Sequence, residues 1–206
     1  MYEAPRTMGK YRARSLRVLV QSPFFYIGLV IKVGLILFMS PSLVTEFYQP
    51  FLSNSISEFD LDPWSSWLSS SGSYLAFPYG YGMWLTFLPL AIIGESIGLQ
   101  LEYSYELTLL ACDFAMLYVL SCLLAGRQRL VLVAYWLSPV VIVATFGLGL
   151  NDVIPALYLM IAELALSQQR LKAAGVLLAL AISAKLSMLV ALPFLLLYLH
   201  NNKPLR

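Results

Sequence analysis

Runs of nearly uninterrupted apolar residues, broken by short basic or polar turns and by one long mixed segment, set the plan of this chain. The first begins near Phe24 and is about 20 residues long, the length that crosses a bilayer. Later runs read "YGMWLTFLPLAIIG" from Tyr81, "YELTLLACDFAMLYVLSCLLAG" from Tyr105, "LVLVAYWLSPVVIVATFG" from Leu130, "DVIPALYLMIAELAL" from Asp152 and "AAGVLLALAISAKLSMLVALPFLLLYL" from Ala173. None alternates polar and apolar positions as a barrel strand does. Backbone in hydrocarbon must satisfy its own hydrogen bonds, so the pattern predicts an all-α, polytopic transmembrane bundle. Composition agrees: 60% of the residues are hydrophobic and 12% charged, with a mean hydropathy of +0.77, against ~45–50% and ~25% in soluble domains. A net charge of +2 gives no reason to expect a nucleic-acid partner. Cys112 and Cys122 fall within an apolar run and read as packing residues.

The charges then set an orientation. Arg6, Lys10, Arg12, Arg14 and Arg17 precede the first span and predict a cytoplasmic N-terminus, a retained anchor rather than a cleaved signal. The basic turns at Arg127 and Arg129, at Arg170 and Lys172, and the tail "HNNKPLR" mark further cytoplasmic points. The long segment between the first two runs holds Glu46, Glu58, Asp60 and Asp62 and no Lys or Arg, which predicts an external loop with short interfacial helices. Residues 1–206 thus read as one transmembrane domain, with a basic arm over 1–22, external loop 1 over 41–80 and membrane helices over 81–199. Two elements stay open: 81–93 either spans or is re-entrant, and the last run is long for one span and short for two.

Rise per residue locates the polar residues within the apolar runs. Asn151 lies ~33 Å of helix beyond Arg129, and Asp152 lies ~27 Å back from Arg170, so both rulers put the pair at the outer face. Lys185, ~20 Å beyond Lys172, approaches the same level. A lysine in such a run is costly and usually functional or paired. Lys32 and Asp113 are also embedded, and a structural ion pair between their helices is the expected arrangement. For the loop, Asp62 before Pro63 has the pattern of a helix N-cap. As candidates for chemistry, Asp60 and Asp62 are exposed carboxylates beside Trp64 and Trp67.

Several short stretches resemble the GT-C class of membrane glycosyltransferases, especially the GPI-type mannosyltransferases. They are an embedded acid (Asp113), a basic turn, Ser138-Pro139 in place of "NP", Gly149-Leu150-Asn151-Asp152 in place of "G-Q-x-D", a second basic turn, and Lys185 in the following helix. "FDLDPWSSWL" and "FPYGYG" (with Tyr79) resemble the first external loop of those enzymes. Leu150 departs from the pattern by replacing a polar residue, and family members are commonly longer.

The resemblance implies transfer of a hexose such as mannose from a polyprenyl-phosphate donor, in a bacterial or archaeal plasma membrane or in the endoplasmic reticulum. Lys185 would hold the donor phosphate, with Asp152, Asn151, Trp64, Trp67 and Tyr79 on the substrates. Asp62, with Asp60 next, would be the base. Asp60, Asp62 and Asp152 are also the set that a divalent cation, Mg or Mn, would use. The implied partners are lipid, the lipid-linked donor and a second subunit supplying further helices. Two other readings compete: a non-catalytic scaffold, and a small transporter or channel subunit in which Lys32, Asp113, Asp152 and Lys185 line an ion path, although no inverted repeat relates the halves.

Overall fold

The structure, a computed structural model, describes residues 17–201; most of the basic arm and the final residues of the tail lie outside the described residues. Every regular element among the described residues is helical. Helix α1 (Pro23–Phe38) leads to a π-helical turn (Val44–Tyr48) continuous with α2 (Gln49–Ser57), then α3 (Pro63–Ser69). Helices α4 (Tyr81–Ser96) and α5 (Leu101–Leu123) follow. Next come α6 (Gln128–Val131) and α7 (Pro139–Ile142), each running into a π-helical turn, Leu132–Trp136 and Val143–Gly147. Helices α8 (Val153–Ser167) and α9 (Leu171–Ala184), a 3₁₀ segment (Leu186–Ala191) and α10 (Leu192–Asn201) complete the described residues.

Helix α5 is long and apolar enough to cross a membrane, and the pair Gln128–Trp136 and Pro139–Gly147 would count as a second span if taken together. That pair bends by 48°. The bend falls at Pro139, which offers no N–H to the preceding turn and ends a helix before it. Helices α1, α8 and α9 are apolar but shorter.

Side-chain contacts fix which helix ends lie together. Tyr105, one turn into α5, donates to the Gly149 carbonyl just before α8. Lys185, just after α9, pairs with Asp152 at the start of α8. Gly149 lies against Pro41 and Val44, just after α1. The starts of α5 and α8 and the ends of α1 and α9 therefore share one end of the bundle. That end carries the loop acids with Glu95, Glu102 and Asp152, whereas the opposite end carries Arg17, Arg127, Arg129, Arg170 and Lys172. The charge is thus segregated along the bundle axis.

Helix α4 follows a different course. Its first turn meets α9 where that helix ends: Gly82 N–H donates to Ser183 Oγ at 3.1 Å, and a Cβ at Gly82 would collide with the Leu180 carbonyl. Its last turn meets the start of α5, with Gly94 against Ser104. Both ends of α4 lie at the acidic end, so residues 81–96 do not pass through the bundle. The last apolar run divides at Lys185, where an extended residue (φ −149°, ψ 117°) separates α9 from the 3₁₀ segment. Tyr198 then lines the same groove as Leu166 and Ser167, which brings α10 back toward the basic end.

Midway along the bundle, Lys32 and Asp113 form a fully buried ion pair at 2.5 Å. Tyr135 donates its hydroxyl to the second carboxylate oxygen at 2.6 Å, and the Lys32 ammonium lies 3.3 Å from the centre of the Trp136 ring. Trp136 in turn donates Nε1 to the Phe25 carbonyl at 2.9 Å. A charge pair in so dry a place holds only with each partner satisfied, and these contacts supply that.

Candidate functional site at the acidic end

The site begins with a chain reversal that the sequence makes necessary. After Val143–Gly147, Leu148 N–H reaches back five residues to Val143 and Leu150 N–H six residues to Ala144, which unwinds the helix. Gly149 then adopts φ +71°, a conformation open to glycine at little cost. Asn151 turns inward and is fully buried, and its amide completes no hydrogen bond. Asp152 occupies the N-cap position of α8, but its side chain caps no backbone N–H. It pairs instead with the Lys185 ammonium, and the two side chains remain 55% and 30% exposed. The two polar interruptions singled out in separate apolar runs therefore meet, at a place that solvent or a ligand reaches.

Tyrosines floor this corner. The Tyr79 ring centre lies 5.9 Å from the Lys185 ammonium. Its hydroxyl is 3.1 Å from that of Tyr48, whose ring stacks on Tyr105 at 5.4 Å. Burial, reinforced by the contact with Tyr79, pushes the Tyr48 hydroxyl above its ordinary pKa, so it stays neutral and serves as a hydrogen-bonding group. Tyr48 and Tyr105 carry no signal in the sequence that separates them from the many packing aromatics.

Loop 1 is held to the same corner through its backbone. Tyr81 donates its hydroxyl to the Leu61 carbonyl at 2.9 Å, and Gly80 abuts the Ser183 carbonyl, two residues before Lys185. Leu61 lies between the two loop acids. Asp62 caps α3 by accepting from Ser65 N–H at 3.2 Å, and Asp60 accepts from Asp62 N–H at 3.2 Å. Both carboxylates are exposed. Among the described residues no hydrogen bond or ion pair joins either of them to Asp152 or Lys185. Nor do the described residues include a group of three or more His, Cys, Asp and Glu placed to hold a metal ion.

The two loop tryptophans serve the loop's own fold. Trp64 donates Nε1 to the Phe77 carbonyl and meets Tyr81 edge-on at 4.8 Å. Trp67 donates to the Ser73 carbonyl, and Gly72 lies on its ring. Both are half-buried. Glu106 is buried on α5, and its carboxyl has no hydrogen-bond partner. Seven residues separate it from Asp113, which puts both carboxyls on one face of the helix.

No family model, no curated protein and no solved structure matches this chain.

Proposed function

We propose that this chain is a polytopic membrane protein of the GT-C glycosyltransferase type, transferring a hexose such as mannose from a polyprenyl-phosphate donor at the acidic, outward end of the bundle. The observation that carries the reading is the meeting of Lys185 and Asp152 in a half-exposed corner at the end of an apolar bundle. A polyprenyl phosphate has its anion at the membrane surface and its tail in lipid. A cation at a helix break, at the boundary of the apolar zone, meets that geometry.

In this reading the acceptor hydroxyl attacks the anomeric carbon, and the bond from that carbon to the phosphate oxygen breaks. The acceptor proton passes to Asp62, or to Asp60, and the released polyprenyl phosphate carries its charge against Lys185. Asp152 both orients Lys185 and offers an acceptor to sugar hydroxyls. Tyr79 borders the same space, and Asn151 shapes the reversal beneath it. Further helices from a second subunit belong to the same proposal.

The scaffold reading has one observation in its favour: Asp60 and Asp62 each already serve a local backbone N–H, as a purely structural residue would. A reconstituted assay with lipid-linked hexose separates the two. Transfer by the wild type, lost in Asp62→Asn or Asp60→Asn, supports the enzyme; no transfer and no donor binding by the wild type leaves the scaffold.

A further inference from the structure

We infer that α4 is an interfacial helix lying in the plane of the membrane at the acidic end, with one apolar edge set into the boundary between headgroups and acyl chains of zwitterionic lipid. The inference rests on the membrane reading above but not on the chemistry proposed for the site.

Length is compatible with this but decides nothing: sixteen residues make ~24 Å of helix, short of the ~30 Å hydrocarbon core, yet α8 and α9, which run between the two ends of the bundle, are shorter still. Contacts along the whole helix give the second ground, and the decisive one. Gly82 meets Leu180 and Ala184 at the end of α9. Trp84 donates to Ser55 of loop 1 at 3.2 Å, and Thr86 bonds the Tyr158 hydroxyl in the second turn of α8 at 2.8 Å. Phe87 stacks on Tyr105 at 4.3 Å, and Gly94 ends against Ser104. Every one of these partners lies within about two turns of the acidic end. A spanning helix would instead meet its neighbours at successively deeper levels.

The two faces of α4 supply the third ground. Met83, Trp84, Phe87, Ala91 and Gly94 are buried against the bundle. Leu85, Pro89, Ile92 and Ile93, at spacings of four, three and one, form an exposed apolar stripe. Leu85 and Ile93 are each at least half exposed, a costly arrangement in water over so continuous a strip. Charge selects the lipid. No Lys or Arg occurs between Lys32 and Arg127, the nearby Lys185 is paired with Asp152, and Glu95 and Glu102 flank the helix end. Anionic headgroups would be repelled, and a neutral or zwitterionic surface would not. The placement also has a consequence for the site. Through Gly80 and Gly82, α4 holds the Ser183–Lys185 turn at headgroup depth, where a lipid-borne phosphate resides.

The test uses the full chain with Cys112→Ala and Cys122→Ala, carrying single substitutions Leu85→Cys, Ile92→Cys or Ile93→Cys, spin-labelled and reconstituted in phosphatidylcholine vesicles. Depth is read from relaxation by oxygen against a water-soluble nickel chelate. Labels at Leu107→Cys and Ala111→Cys on the exposed face of α5 calibrate the scale, since they should differ by ~6 Å along a spanning helix. The in-plane placement predicts that the three α4 labels share one depth, ~5–10 Å inside the phosphate level. Depths that descend by ~12 Å from Leu85 to Ile93 beside a normal α5 gradient would overturn it and leave the membrane reading intact. Labels on α4 exposed to the chelate alone would also overturn it. An α5 pair showing no burial in lipid would overturn the membrane reading and this placement together.

Discussion

Asp152 and Lys185, thirty-three positions apart, form an ion pair across the start of α8 and the end of α9, and Asp152 does so instead of capping its own helix. The aspartate is therefore the competitor that an incoming phosphate must displace from the lysine. In a half-exposed setting such a pair contributes only ~0–1 kcal/mol. Asp152→Asn is accordingly expected to tighten binding of a polyprenyl phosphate up to about fivefold while slowing sugar transfer. Titration of the variant in nanodiscs checks this; weaker binding would show that Asp152 contacts the ligand favourably rather than restraining Lys185.

Lys32 and Asp113 stand in a different relation. With both charges fully buried, removing either partner strands the other, at a cost of ~3–5 kcal/mol. Lys32→Met and Asp113→Leu should each lower the unfolding midpoint sharply in detergent, and the double variant should recover much of the loss. A double variant no better than the worse single would argue that Tyr135 and Trp136, rather than the pair itself, hold this layer together.

At Asp62 the helix cap and the proposed base are separable. Asparagine caps a helix about as well as aspartate, whereas alanine loses ~0.5–2 kcal/mol. Asp62→Asn should therefore keep the thermal midpoint of the wild type and cut turnover by roughly a hundredfold, while Asp62→Ala loses both. Turnover unchanged in Asp62→Asn, with Asp60→Asn inactive, moves the base two residues upstream.

Glu106 bears a carboxyl in a dry place without a partner, a cost to folding in either protonation state. Glu106→Gln or Glu106→Met should leave stability unchanged or raise it. A large loss of stability in both would reveal an interaction made by the carboxyl that the fold depends on.

The helical architecture and the charge polarity were legible because both follow from local rules: apolar runs in lipid must be helices, and basic turns cluster at one end. The ruler of 1.5 Å per residue brought Asn151, Asp152 and Lys185 to one level, and the contact between Asp152 and Lys185 is there. It could not tell that Asn151 would turn inward or that Asp152 would leave its cap unmade, since both depend on the unwinding after Gly147. The course of residues 81–96 was open because a run of that length has the same composition whether it crosses or lies flat. Contacts of Gly82 with Leu180 and Ala184 and of Gly94 with Ser104 bring both ends of the helix to the acidic end of the bundle, which composition alone does not reveal. Trp64 and Trp67 read as substrate-contacting residues because indole rings in a polar loop carry no mark of the carbonyls, Phe77 and Ser73, that their N–H groups will find.

The most direct measurement is equilibrium binding of a polyprenyl phosphate to the chain in phosphatidylcholine nanodiscs, comparing the wild type with Lys185→Met and Asp62→Asn. A lost charge-assisted contact is worth ~1.5–3 kcal/mol, so Lys185→Met should bind about 10- to 150-fold more weakly, and Asp62→Asn should bind as the wild type does. Equal affinity in wild type and Lys185→Met, or no binding by the wild type, would contradict the assignment of this corner as a lipid-phosphate site.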